Sequence, residues 1–201
     1  QDSRLKTQEF IEIFKEVEKG ENVRYAGEDV KKGEVVIKKG AMLKSGHIGM
    51  LASLGITKVK VFRKPKIAIL ATGDELVKIQ ERLKPGKIRN SNTYSLYAQV
   101  LRTGALPILL GIAKDTKRDL EGKIKRGLSN TDMLLISGGV SVGDYDFVKE
   151  VLADLGTEMK FWKVAMRPGK PLAFGMIKAV PVFGLPGNPV SSMISFEVFV
   201  R

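Results

Sequence analysis

The chain has 201 residues, 43% of them hydrophobic, with 34 Lys+Arg against 22 Asp+Glu, a formal net charge of +12, one histidine and no cysteine. Without cysteine there are no disulfides or thiolate metal sites, and the single His47 rules out a multi-histidine zinc site. Any metal must therefore be a hard cation held by oxygen, such as magnesium, and no apolar run approaches the roughly 20 residues that cross a bilayer.

The surplus of positive charge fits a solvated lysine-rich surface, attraction for a small anionic ligand, or nucleic-acid binding. The basic residues are scattered and no interleaved aromatic pattern accompanies them, which weighs against specific nucleic-acid binding. The polar start, QDSRLKTQEF, is no signal peptide, and a cytoplasmic location is expected. It opens on Gln rather than Met, and the chain ends inside a helical pattern, SSMISFEVFVR, so a fragment is expected.

In the first 22 residues, Phe10, Ile13, Phe14 and Val17 fit a helical face, while Ile11, Ile13 and Val17 fit a strand. Val35–Ile37 and Val59–Phe62 read as strands around a brief helix from Ser45, closed by Gly55. Residues 1–64 are thus expected to form a small β-rich unit. His47 lies within it and reads as a surface or packing residue. Pro65 marks a boundary.

From residue 65 the pattern changes. KIAILATG reads as a buried strand. In NSNTYSLYAQVLRTGA, Tyr94, Tyr97 and Leu101 share a helical face that Gly104 stops. LPILLGIA is a strand, and DTKRDLEGKIKRGL a helix capped by Asp115 with Leu120, Ile124 and Leu128 on one side. MLLIS is a third strand, and YDFVKEVLADLG a helix with Phe147, Val151 and Leu155 inward. VPVFG and PVSSMISFEVFV complete the alternation. This order predicts an α/β domain over 65–201, its mostly parallel sheet covered on both faces. Ligands of such sheets bind beyond the carboxyl ends of the strands. TGDEL, AKDT, SGGVSVGDYD and LPGNP should all lie on that rim.

Each loop has a possible chemistry beside a plain structural role. In SGGVSVGDYD, Gly138, Gly139 and Gly143 let backbone amides approach an anion at a helix N-terminus, or simply make a tight turn. In LPGNPVSS, Pro186 and Pro189 fix the backbone and Gly187 leaves room for a ligand. Asn188 can cap a helix whose first turn carries Ser191 and Ser192. Asp74, Glu75, Asp115 and Asp146 put carboxylates around one crevice, suited to magnesium bridged to phosphate; singly, Asp74 and Asp115 are placed for capping. Lys163, Arg167 and Lys170 of KVAMRPGKP supply counter-charge or form a solvated basic turn. No Ser–His or Cys–His pair lies near the rim, so nucleophilic hydrolysis is not expected.

Together ATGDEL, ISGGVSVGDYDFV, RPGKPLAFG and GLPGNPVSS, in that order, resemble the molybdopterin molybdenumtransferase family: MoeA of bacteria and archaea, and the E domain of gephyrin and its plant relatives. The upstream VRYAGEDVKKGEVVIKKG and LASLG also look like that family, and the resemblance covers roughly residues 23–201. It implies a three-layer molybdopterin-binding domain and magnesium-dependent insertion of molybdate into adenylylated molybdopterin, with release of AMP. It implies a MogA-type adenylyltransferase as pathway partner and a homodimer. On the same resemblance Glu75, Asp115 and Asp146 match the functional acidic positions and candidate metal ligands. Lys163 and Arg167 match basic positions near molybdate and phosphate, the second being lysine in many relatives. Thr72, Gly73, Asp74, Ser137, Gly138, Gly139, Ser141, Gly143, Lys170, Pro186, Gly187, Asn188, Pro189, Ser191 and Ser192 match the ligand loops. The family's DGYA-like motif is not found, and its C-terminal β domain would follow where this chain stops. Two other readings are a MogA-type adenylyltransferase, whose loop reads GGTG or, in CinA-like proteins, GGLGPT, and a gephyrin-like scaffold.

Overall fold

The computed structural model describes residues 3–5, 10–140 and 147–201. It divides into two units, Gln1–Val61 and Phe62–Arg201.

In the first unit, β1 (Ser3–Leu5) pairs antiparallel with β2 (Ile11–Ile13), Ser3 opposite Ile13. The strand reading of the opening segment therefore holds over the helical one. Helix α1 (Ser45–Ser53) begins where expected. His47 helps to start it, its Nδ1 accepting the Lys44 N–H at 3.0 Å, and Gly55, at φ +70°, ends it. Val35–Ile37 and Val59–Phe62 correct the expectation of further strands: they join no ladder among the described residues. Apolar alternation favours a strand only when a partner edge satisfies the backbone, and neither run has one.

The second unit contains β3 (Lys66–Thr72), β4 (Leu76–Val77), β5 (Ile88–Arg89), α2 (Asn92–Arg102), β6 (Leu106–Ala113), α3 (Lys117–Leu128), β7 (Met133–Ser137) and α4 (Phe147–Asp154). It continues with β8 (Glu158–Lys163), β9 (Pro171–Ile177), β10 (Val180–Leu185) and α5 (Pro189–Ser195), which runs on into a π-helical turn at Phe196–Val200. Six strands form one sheet in the order β6-β3-β7-β10-β9-β8. The first four are parallel, and β9 and β8 continue the sheet antiparallel.

Period-two alternation divides the sheet between two cores. Ala68, Leu70, Leu134 and Ile136 pack under α3 and α4 with Leu120, Ile124, Val148, Val151 and Leu152. Ile67, Ile69, Leu135 and Leu185 face α2 and the C-terminal helix with Leu96, Val100 and Phe196. The result is the expected three-layer α/β arrangement. Two expectations change. Tyr94, Tyr97 and Leu101 point outward, and Leu96 and Val100 form the buried face of α2. The β8–β9 hairpin, whose Phe161 and Phe174 rings lie 5.6 Å apart, was not foreseen.

Candidate functional site

Parallel pairing places the carboxyl ends of β3, β6, β7 and β10 on one rim. Register sets their neighbours: Thr72 opposite Ala113, Ala71 opposite Ser137, and Leu185 opposite Ser137. Because β9 runs against β10, its first residue, Pro171, starts at that rim, opposite Lys163 at the end of β8. The turn carrying Arg167 and Lys170 therefore reaches the same edge.

The loops after β3 and β6 hold each other. The Asp74 N–H donates to Asp115 Oδ2 at 3.2 Å, and the Asp115 N–H donates to Asp74 Oδ1 at 3.1 Å. Asp115 therefore does not cap α3, and Asp74 caps no helix. The N-cap of α3 is Thr116, with no side-chain bond. Asp119, inside the helix, accepts the Lys114 N–H at 2.8 Å. The Lys123 ammonium, and after it that N–H, hold the Asp119 carboxyl below its ordinary range. Glu75 folds back over Gly73: a Cβ on Gly73 would lie 2.6 Å from Glu75 Oε2, and the glycine adopts φ +139°. That backbone angle favours glycine, and a side chain there would also displace the Glu75 carboxylate. Lys87 adds a cation here, its Nζ donating to the Asp74 carbonyl at 2.7 Å.

The loop after β7 lies against Thr72. A Cβ on Gly138 would meet the Thr72 carbonyl oxygen at 2.6 Å, and one on Gly139 would meet Thr72 Oγ1 at 2.7 Å. The Gly138 N–H donates to the Leu185 carbonyl at 3.1 Å, joining this loop to the end of β10. Ser141, Gly143 and Asp146 lie outside the described residues.

After β10, Asn188 caps α5 with Pro189 in the first turn. Its Oδ1 accepts the Ser191 N–H at 3.2 Å and lies 3.4 Å from Ser191 Oγ. The side-chain oxygen of Asn188 is thus committed to the helix start. Ser192 is buried and lines neither cavity described below. Lys163, Arg167 and Lys170 are exposed and line neither cavity. A Cβ on Gly169 would lie 2.9 Å from Ser195 Oγ, so their turn packs on α5.

Two adjoining cavities open on the rim. The larger, about 750 Å³, is bounded by Thr72, Gly73, Glu75, Asp115, Gly139 and Pro186 to Asn188, with Val140, Phe147 and Pro171 as apolar wall. The smaller, about 330 Å³, shares Thr72, Glu75, Gly187 and Asn188 and extends past Ser137, Gly138 and Pro189 to Arg89, Asn90 and Asn92. The larger one is of a size that takes a small-molecule ligand. Its donors, among the described residues, are carboxylate oxygens, hydroxyls and backbone groups. Glu75 and Asp115 are the carboxylates, and no group of three metal-ligating side chains occurs among the described residues. That donor type fits a hard oxygen-bound cation.

Residues 68–201 match the family model described as "Probable molybdopterin binding domain". The chain belongs to this molybdopterin-binding domain family. Residues 2–55 match the MoeA N-terminal region (domain I and II). Molybdopterin molybdenumtransferases of Bacillus subtilis and Haemophilus influenzae are 40% and 42% identical, over 96% and 94% of this chain and 45% and 46% of theirs. Two solved structures of the MoeA molybdopterin biosynthesis protein from Pyrococcus horikoshii superpose with TM-scores of 0.80 and 0.74. They are 38% and 32% identical, over 99% of this chain and 49% and 47% of theirs. The chain spans about half the length of the relatives it matches. A CinA protein and molybdenum cofactor biosynthesis protein B, at 15% and 14% identity, share the fold with TM-scores of 0.54 and 0.53. Among the described residues no helix is long and apolar enough to cross a membrane.

Asn90 and Asn92, which line the smaller cavity, escaped the sequence reading. Asn90 accepts the Thr93 N–H at 3.2 Å and so begins α2, while Asn92 turns inward. Two asparagines in NSNT before a helix were a usable signal, since one suffices for the cap.

Proposed function

We propose that this chain carries the molybdopterin-binding part of a molybdopterin molybdenumtransferase acting in the cytoplasm. It would take adenylylated molybdopterin and molybdate and release AMP and the molybdenum cofactor. The observation that carries this reading is the meeting of Thr72, Gly73, Glu75, Asp115, Gly139 and Pro186–Asn188 around one cavity of about 750 Å³, in a chain about 40% identical to named molybdenumtransferases.

Backbone amides from Gly139 to Gly143, with Ser137, Ser141 and Ser191, bind the phosphate oxygens of the substrate. The Pro186–Pro189 loop, with Gly187 in closest reach, seats the pterin. Lys163, Arg167 and Lys170 draw molybdate to the rim beside the dithiolene, and they balance the charge of the departing AMP. Glu75, Asp115 and Asp146 would hold magnesium, which supplies neutralisation of the pyrophosphate charge. The sulfur ligands of molybdenum come from the pterin, in keeping with a protein that has no cysteine. A MogA-type enzyme would supply the adenylylated substrate, and the working form would be a homodimer.

Calorimetric titration with adenylylated molybdopterin, with and without magnesium, tests this. Magnesium-dependent binding, lost in Asp146→Asn, is expected. Absence of binding by the folded wild type would overturn it.

A further inference from the structure

The side-chain amide of Asn92, only 9% exposed at the start of α2, bridges two loops far apart in sequence. Its Nδ2 donates to Ser137 Oγ at 2.9 Å and to the Gly187 carbonyl at 2.8 Å. Ser137 ends β7 and Gly187 follows β10. Between them Gly187 packs on Gly138: a Cβ on Gly187 would lie 3.9 Å from Gly138 Cα. One buried amide thus holds a helix and both glycine-bearing rim loops together.

We infer that Asn92 is the positioning residue that sets the Gly138 loop and the Gly187 loop in fixed register. It acts through them on whatever anion the cleft binds; the identity of that anion rests on the reading above. The chemistry requires an amide. The Gly187 carbonyl can only accept, so the group facing it must donate, and the NH2 of asparagine reaches both partners at once. Aspartate has the same shape but would set a carboxylate oxygen against that carbonyl. Leucine fills similar space and leaves both acceptors unpaired.

Hydrogen exchange of the ligand-free chain reads the loops directly. Asn92→Asp should speed exchange about tenfold or more in residues 136–140 and 185–190, the loss of a paired buried hydrogen bond. Helices α3 and α4 should keep wild-type rates. Ser137→Ala keeps the bond to Gly187 and should loosen 136–140 alone, and it decides the matter if Asn92→Asp fails to fold. Wild-type exchange in both loops of a folded Asn92→Asp, or in 136–140 of Ser137→Ala, would overturn the inference. The second readout is affinity for adenylylated molybdopterin relative to wild type. It should fall about tenfold or more in Asn92→Asp and Asn92→Leu. As pH falls it should recover in the first alone, since a protonated carboxyl can donate to Gly187. Equal behaviour of the two variants with pH would contradict a donor role. If the wild type binds no nucleotide, the functional reading fails while the exchange result still decides Asn92.

Discussion

Asp74 and Asp115 each accept the other's backbone N–H, at 3.1 and 3.2 Å, across adjacent strands of the sheet. Of this reciprocal pair Asp115 lines the larger cavity and Asp74 does not. Asp74→Ala should therefore weaken ligand binding from outside the cavity and lower stability by about 1 kcal/mol. Asp74→Asn keeps an oxygen acceptor and should stay near wild type. Urea unfolding and titration of the two variants side by side check this.

Gly139→Ala should be more damaging. Its Cβ would lie 2.4 Å from Val148 Cγ2 and 2.7 Å from Thr72 Oγ1, at a backbone φ of +66°. A clash against the core and strain in the left-handed region add, so a loss of about 1–3 kcal/mol is expected. Thermal unfolding measures it. Gly187→Ala, with 3.9 Å of room, should cost less.

Leu96→Ala should cost about 2–5 kcal/mol, because Leu96 is fully buried under the sheet. Tyr97→Ala, one residue on and 37% exposed, should cost under about 1 kcal/mol. Chemical denaturation of both variants tests which face of α2 is inward.

Arg63 clasps Asp132 with two bonds, at 2.6 and 2.5 Å, and the Lys66 N–H adds a third at 2.8 Å. The guanidinium, and after it the N–H, hold the Asp132 carboxyl well below the carboxylate range. A depressed carboxyl stabilises the fold above its unfolded value, near about 4, and the contribution is lost as pH falls below that. The melting temperature of the wild type should fall on acidification more steeply than that of Arg63→Ala. High salt should shrink the difference, the pair being solvent-exposed.

The central strands were legible because a run buried on both faces needs no partner information: KIAILAT and MLLIS announce themselves by composition, and LPILLGIA, the half-exposed edge strand, is apolar enough to do the same. The rim loops followed from strand direction alone. What failed depended on neighbours. Tyr94, Tyr97 and Leu101 are as periodic as Leu96 and Val100, and only packing decides which face is covered. The β8–β9 hairpin has one partly polar face and Pro171 at its turn, so it gave a weak strand signal. Asp115 looked like a cap by position, but the neighbouring Asp74 N–H was invisible in sequence, as were the two acceptors that turn Asn92 inward.

On the proposed function, the nucleotide-bearing pterin should bind in the rim cleft between Glu75, Asp115, Gly139 and Gly187. Amide chemical-shift mapping of this 22.1 kDa chain during titration with adenylylated molybdopterin and magnesium tests it most directly. Saturable shifts concentrated at Gly73, Glu75, Asp115, Gly139 and Gly187, and little change at His47 or along α1, are predicted. Saturable shifts confined to residues away from the rim, with those five amides unmoved, would contradict it.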